Sequence, residues 1–202
     1  DHLALLVERS AHVVYCPMAS SRYGMVLESF DEYLRRGVSM ALGTDTFPPD
    51  MIRVMESASS QARLLARRHE AGQAPDLLRA ATLGGAAALG RTDPGRIAPG
   101  AQADLVVVDL GGFSTGVVAD PVRAMVNHAH GGCVSTVVVA GRTVVEDGRI
   151  PGADLAELRA QASRLFVRYR SSYERRDHLR RDPDTIFPGS FRTIIARGGP
   201  GR

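Results

Sequence analysis

Asp45 closes the stretch Gly43-Thr44-Asp45, directly after the apolar run Val38-Ser39-Met40-Ala41-Leu42. A carboxylate at the C-terminal end of a buried strand can hold a metal ion or shuttle a proton. The competing reading is a turn cap ahead of a helix. Asp50 is the better placed cap, because it follows Pro48-Pro49 and precedes a helical apolar pattern. That leaves Asp45 less explained by structure and makes it the first candidate for chemistry. Ser20 and Arg22 lie in a polar stretch after another strand and could touch a substrate, or could be ordinary loop polarity. His128-Ala129-His130 would put two imidazoles on one side of a strand, where they could share a metal. The pair sits in a β-rich region behind Gly131-Gly132 and reads as structural. His2, His12, His69 and His178 stand alone and read as surface or core histidines. Arginines at 175–181 are interrupted by Asp177 and flanked by Glu174 and Asp182, which suits a solvated helix face or a subunit contact better than an anion site.

The elements that must position these residues follow from periodicity and punctuation. Residues 1–9 form a short amphipathic helix. His12-Val13-Val14-Tyr15-Cys16 is a buried strand ended by Pro17, and residues 18–24 are a polar loop. A helix over about 28–36 leads to the strand at 38–42. Asp50 then opens a helix to about residue 70, with Met51, Ile52, Met55, Ala58, Ala62 and Leu65 at helical spacing. Pro75 starts the next helix and Gly90 ends it. Inside that helix Gly84-Gly85-Ala86-Ala87-Ala88 presents a nearly smooth surface, suited to close approach of a neighbouring backbone. Short strands alternating with helices imply βα units and a parallel sheet, in which chemistry gathers at the C-terminal ends of strands.

The texture then changes. Residues 91–150 are β in character, with a strand at 104–109 and a tight hairpin of 134–139 with 142–146 around Ala140-Gly141. From about Asp154 an Arg-rich amphipathic helix runs into a Gly/Pro-rich tail containing Phe187-Pro188-Gly189. The expected division is therefore 1–90, 91–150 and 151–202.

Composition narrows the function classes. The chain has 202 residues, enough for a sizeable core, and its 44% apolar and 23% charged content argues for a folded protein. The net charge is +3, yet all 25 basic residues are Arg and acidic residues are interspersed among them. With 5% aromatics and no Trp, the stacking surface of a nucleic-acid binder is missing. Cys16 and Cys133 suggest neither a disulfide framework nor a zinc knuckle, so a cytoplasmic setting is expected. No apolar run reaches the eighteen or so residues of a membrane span. The opening Asp1-His2-Leu3-Ala4-Leu5-Leu6 reads as the interior of a helix, which implies sequence upstream.

Several stretches together resemble the amidohydrolase superfamily, in its chlorohydrolase and cytosine/guanine deaminase branch. Val13-Val14-Tyr15-Cys16-Pro17 is similar to the seventh barrel strand, with Tyr15 where those proteins often carry His. The segment from Gly37 to Asp45 is similar to the eighth strand and ends in the family's metal-binding Asp. Ala81-Thr82-Leu83-Gly84-Gly85 and the residues that follow resemble the closing helix. Gly95-Arg96-Ile97-Ala98-Pro99-Gly100, continuing through Ala103-Asp104-Leu105-Val106-Val107-Val108-Asp109, resembles the re-entry into a small flanking β domain. The segment 138–148 and Phe187-Pro188 also fit.

The resemblance implies an α/β fold, the C-terminal portion of a (β/α)8 TIM barrel with a small flanking β-sandwich. Only Asp45 carries over as a catalytic residue. The family's histidine ligands and catalytic Glu would lie before Asp1, and His128 and His130 fall in the wrong domain to replace them. The whole enzyme would hold one Zn²⁺ or Fe²⁺, with Asp45 as ligand and proton shuttle, and would deaminate or dechlorinate a small N-heterocycle. Cyclic-amide hydrolysis on the same scaffold is the alternative activity; its usual bridging Lys has no counterpart in this Lys-free chain. An inert fragment or paralogue serving as a binding module is the alternative of another class. About 90 residues of barrel cannot close a fold that needs roughly 250, so these residues alone should be inactive, and their partner should be the missing part of the barrel. The striped C-terminal helix adds the expectation of a homodimer.

Overall fold

Two four-residue strands organise the first half of the chain in the computed structural model, which describes residues 2–191. β1 (His12–Tyr15) and β2 (Ser39–Leu42) run parallel, with His12 opposite Ser39 and Tyr15 opposite Leu42. Parallel strands need a long crossover. Here it contains two short helices, α2 (Pro17–Arg22) and α3 (Phe30–Arg35), and the chain enters β1 from α1 (His2–Glu8). The stretch expected as a polar loop at 18–24 is therefore largely α2. Pro17 supplies the pre-set backbone angle of a first helical position, and the Ser20 amide donates to the Cys16 carbonyl at 2.9 Å. Ser29 caps α3 by accepting from the Glu32 amide at 3.2 Å.

α4 (Met51–Ala66) begins where the sequence places it. Asp50 Oδ1 accepts from the Ile52 and Arg53 amides at 3.1 and 3.2 Å. The helix stops earlier than expected, because Arg67 turns left-handed at φ 52°. Ile52, Met55, Ala58 and Ala62 form its buried face, packed into a core with Tyr15, Phe30, Val38, Met40 and Leu42. α5 (Ala74–Arg79) passes through a wide π turn (Ala80–Gly84) into α6 (Gly85–Ala88), and Gly90 follows at φ 66°. The smooth surface does what its composition suggests. A Cβ placed on Gly84 would lie 2.1 Å from the Met40 carbonyl oxygen, so only glycine lets this turn rest on the backbone of β2.

β3 (Leu105–Val108), β4 (Val134–Val139) and β5 (Arg142–Val145) form one antiparallel sheet in the order β3-β4-β5. Ala140 and Gly141, at φ 49° and 78°, make the expected hairpin turn. Among the described residues the three strands form a single layer, so the second layer of the expected β-sandwich is not shown. An eight-residue helix, α7 (Pro121–His128), also stands between β3 and β4, with Asp120 capping it and Val126 fully buried. α7 packs on α4 and α5. Asp50 Oδ2 adds a tie by accepting the Gly131 amide at 2.7 Å. The small sheet is thus joined to the βα region within one compact unit, Asp1–Pro151.

The second unit, Gly152–Arg202, is built on α8 (Leu155–Ser171), capped by Asp154. α9 (Tyr173–Arg176) and α10 (Pro183–Ile186) follow. Arg176 sits 3.8 Å over the Tyr169 ring, and Tyr173 meets Phe187 edge-on at 5.8 Å. Leu155, Leu158, Leu165, Phe166 and Tyr169 leave an exposed apolar stripe along α8. No described helix is long and apolar enough to cross a membrane.

Candidate functional site

The C-terminal ends of β1 and β2 lie side by side. Their pairing runs one residue past β2, since the Gly43 amide donates to the Tyr15 carbonyl at 3.0 Å. A side chain at Gly43 would press on Cys16 Sγ at 3.0 Å and Val14 Cγ1 at 3.2 Å, so glycine lets the two strand ends stay together. Two residues on, Asp45 adopts the left-handed backbone region at φ 43°. That conformation costs a non-glycine residue about 1 kcal/mol, and Asp tolerates it better than most. Asp45 is exposed, and its carboxylate makes no hydrogen bond or ion pair among the described residues. It is a carboxylate held at a strand end by backbone geometry rather than by a cap.

The residues around it have defined tasks. Tyr15 is buried and donates its hydroxyl to Gln61 Oε1 of α4, while Gln61 Nε2 donates to the Pro17 carbonyl at 3.1 Å and to Ser57 Oγ at 3.0 Å. Burial pushes the Tyr15 phenol up, which keeps it a neutral donor. Cys16 is half-buried. Burial raises its thiol first and the negative charge of Asp45 raises it further, so it is a thiol rather than a thiolate near neutral pH. Ser20 and Arg22 both lie on α2, the helix that leaves β1. The Ser20 carbonyl accepts from the Tyr23 and Met25 amides, and its hydroxyl makes no hydrogen bond among the described residues. Arg22 does not extend freely into solvent. Nη1 donates to Thr46 Oγ1 and Nη2 to the Phe47 carbonyl, each at 2.6 Å. The structure therefore brings Arg22 to the loop that carries Asp45. Thr46, Phe47 and Gln61 escape a sequence reading, because their partners are 24, 25 and 46 residues away and no local pattern announces the contact.

The histidines are elsewhere. His12 opens β1, at the opposite end of the strand from Cys16, with Nδ1 2.7 Å from Ser39 Oγ. His128 ends α7, and His130 Nδ1 accepts the Gly132 amide at 3.0 Å, so the pair closes a helix and a short turn and does not lie on a strand. Among the described residues no group of three or more His, Cys, Asp or Glu could hold a metal ion. Catalytic zinc typically takes three protein ligands. Asp45 fits as one oxygen ligand of such a set, and the others would have to come from beyond these residues.

A sequence profile described as the amidohydrolase family matches residues 1–144. The 5-methylthioadenosine/S-adenosylhomocysteine deaminase of Natronomonas pharaonis is 33% identical over 166 residues, covering 80% of this chain and 38% of that protein. The enzyme of the same name from Syntrophobacter fumaroxidans is 34% identical over 153 residues. The crystal structure of an adenosine deaminase from Xanthomonas campestris with bound zinc superposes with a TM-score of 0.79 at 32% identity, over 84% of this chain and 40% of that one. The atrazine chlorohydrolase of Arthrobacter aurescens TC1, complexed with zinc, superposes with a TM-score of 0.70 at 27% identity, over 78% and 36%. The chain thus spans about two fifths of the length of the relatives it matches.

Proposed function

The chain belongs to the amidohydrolase family, and from that premise we propose that it is the C-terminal part of a metal-dependent hydrolase that removes an amino or halide group from a small N-heterocycle. Purine deamination is the favoured form, since relatives above 30% identity carry deaminase names. The observation that carries the reading is Asp45. It is an unpaired carboxylate at the C-terminal end of a parallel strand, in a chain matched to zinc-bound structures.

In this proposal residues 1–90 are the last strands and helices of a (β/α)8 barrel, 91–150 belong to a small flanking β-sandwich, and 151–202 are a C-terminal helix and tail. A divalent ion, Zn²⁺ or Fe²⁺, supplies when bound an acidified water near neutral pH. Asp45 contributes one ligand oxygen and, as a base, accepts the proton that the attacking water gives up. Arg22 and Ser20 border the same strand ends, where Ser20 has a hydroxyl free to meet a substrate. The remaining ligands and acid groups lie in the rest of the protein, so 202 residues alone do not turn over substrate. The exposed stripe of α8 supports a homodimer of the whole enzyme.

Asp45→Asn in the whole protein tests the assignment. Turnover of 5′-methylthioadenosine, adenosine and atrazine should fall by on the order of a thousandfold, as expected when a positioned base is lost, and zinc content should drop with it. Retained turnover with full zinc content would remove Asp45 from the site.

A further inference from the structure

We infer that Arg22 is a positioning residue: it clamps the loop that carries Asp45, and so sets where that carboxylate stands. The inference rests on the ligand reading of Asp45 and adds a role that the strand ends by themselves do not supply.

Three observations converge. Arg22 reaches across from α2, the helix that follows β1, to the loop that follows β2. Its two terminal nitrogens donate separately, to the Thr46 hydroxyl and to the Phe47 carbonyl, at 2.6 Å each. Both acceptors lie within two residues of Asp45, whose backbone is in the left-handed region at φ 43°. A left-handed aspartate in an exposed loop has extended alternatives at lower intrinsic cost, so something must select this one. The Cys16–Gly43 approach fixes the chain just before Asp45, and Asp50 at the head of α4 fixes it after. Between these anchors, the Arg22 fork holds the residues immediately past Asp45. A planar guanidinium suits the task because it offers two donors in fixed geometry, whereas a lysine ammonium on a flexible stem does not. Charge-assisted hydrogen bonds are also about twice as strong as neutral ones.

This role differs from substrate contact in what it predicts. Arg22→Ala in the whole protein should lower kcat for 5′-methylthioadenosine by roughly tenfold and raise the zinc dissociation constant of the apo protein, read by chelator competition, by a similar factor, while KM changes by less than about twofold. Proteinase K should cut within residues 44–49 of the apo protein about tenfold faster. Arg22→Lys should recover part of each loss. Thr46→Val should give a weaker version of the same pattern, and adding it to Arg22→Ala should change little, because its partner is already gone. Arg22 is exposed, so an unchanged melting temperature is expected and separates the effect from misfolding. A large rise in KM with unchanged zinc affinity and loop cleavage would overturn the inference in favour of direct substrate contact. No change in any readout would overturn it as well. Failure of the ligand reading is distinguishable: Asp45→Asn would then keep its zinc affinity, while Arg22→Ala would still speed loop cleavage.

Discussion

At the scale of the residue, the chain shows how differently two aspartates five positions apart can be used. Asp50 is fully committed. One carboxylate oxygen accepts the first amides of α4, and the other holds the Gly131 amide, 81 residues away. Asp45 is bound to nothing among the described residues. Local sequence separates them because only Asp50 stands directly before a helical apolar pattern. Replacing Asp50 with Ala removes a cap worth about 1 kcal/mol and a charge-assisted bond on a partly solvated amide, so a loss of roughly 1–3 kcal/mol is expected. Asn retains capping ability and should fall between the two. Urea unfolding of the whole protein measures the series. Near-parental stability of Asp50→Ala would show that the link to Gly131 contributes nothing.

At the scale of the element, adjacent glycines in one helical segment have opposite roles. Gly84 rests on the backbone of β2, where a Cβ would meet the Met40 carbonyl oxygen at 2.1 Å, while a Cβ on Gly85 meets nothing within 4 Å. Gly84→Ala must push the segment away from the strand and should destabilise by about 3 kcal/mol or more. Gly85→Ala keeps a helical backbone at φ −60° and ψ −45°, and should stabilise by about 0.5–1 kcal/mol through the unfolded chain. Thermal unfolding of the two variants side by side checks the difference in sign. The same closeness explains why a Gly- and Ala-rich helix is used here: larger side chains would hold it off β2, the strand that leads to Asp45.

At the scale of the whole molecule, the parallel pair is covered unevenly. Tyr15 is 5% exposed among α4 and the core, whereas its neighbour Val14 is 53% exposed. Parallel sheets are normally buried on both faces, and in the proposed whole enzyme the rest of the barrel would cover the open side of β1. Tyr23, Met25 and Phe47 are exposed as well. Large exposed apolar side chains of this kind favour dye binding or association. The 202-residue chain produced alone should therefore enhance the fluorescence of anilinonaphthalene sulfonate, retain no stoichiometric zinc after dialysis, and deaminate nothing. Stoichiometric zinc on this chain alone would contradict the proposal that the remaining ligands come from elsewhere.

By itself the sequence determined whatever depends on neighbours along the chain. Alternating and helical apolar patterns placed β1, β2, α4 and the β4–β5 hairpin, with Asp50 marking the start of α4 and Ala140-Gly141 the hairpin turn, because caps and turns act within a few residues. It also singled out Asp45 by leaving it without a cap to make. α2 and α7 were legible only in hindsight: Pro17 and the Asp120-Pro121 start signal were present, but each helix is too short for periodicity to outweigh the polar or β-rich stretch around it. Only the tertiary structure decided that Arg22 grips the Asp45 loop, that Asp50 reaches Gly131, and that His128 and His130 close turns rather than face a metal. The first two outcomes depend on contacts between residues 24 to 81 positions apart, whereas the histidine turns are local and were hidden by the β-rich stretch around them. The energies of the long-range contacts exist only once the strands and helices have packed, so no local pattern encodes them.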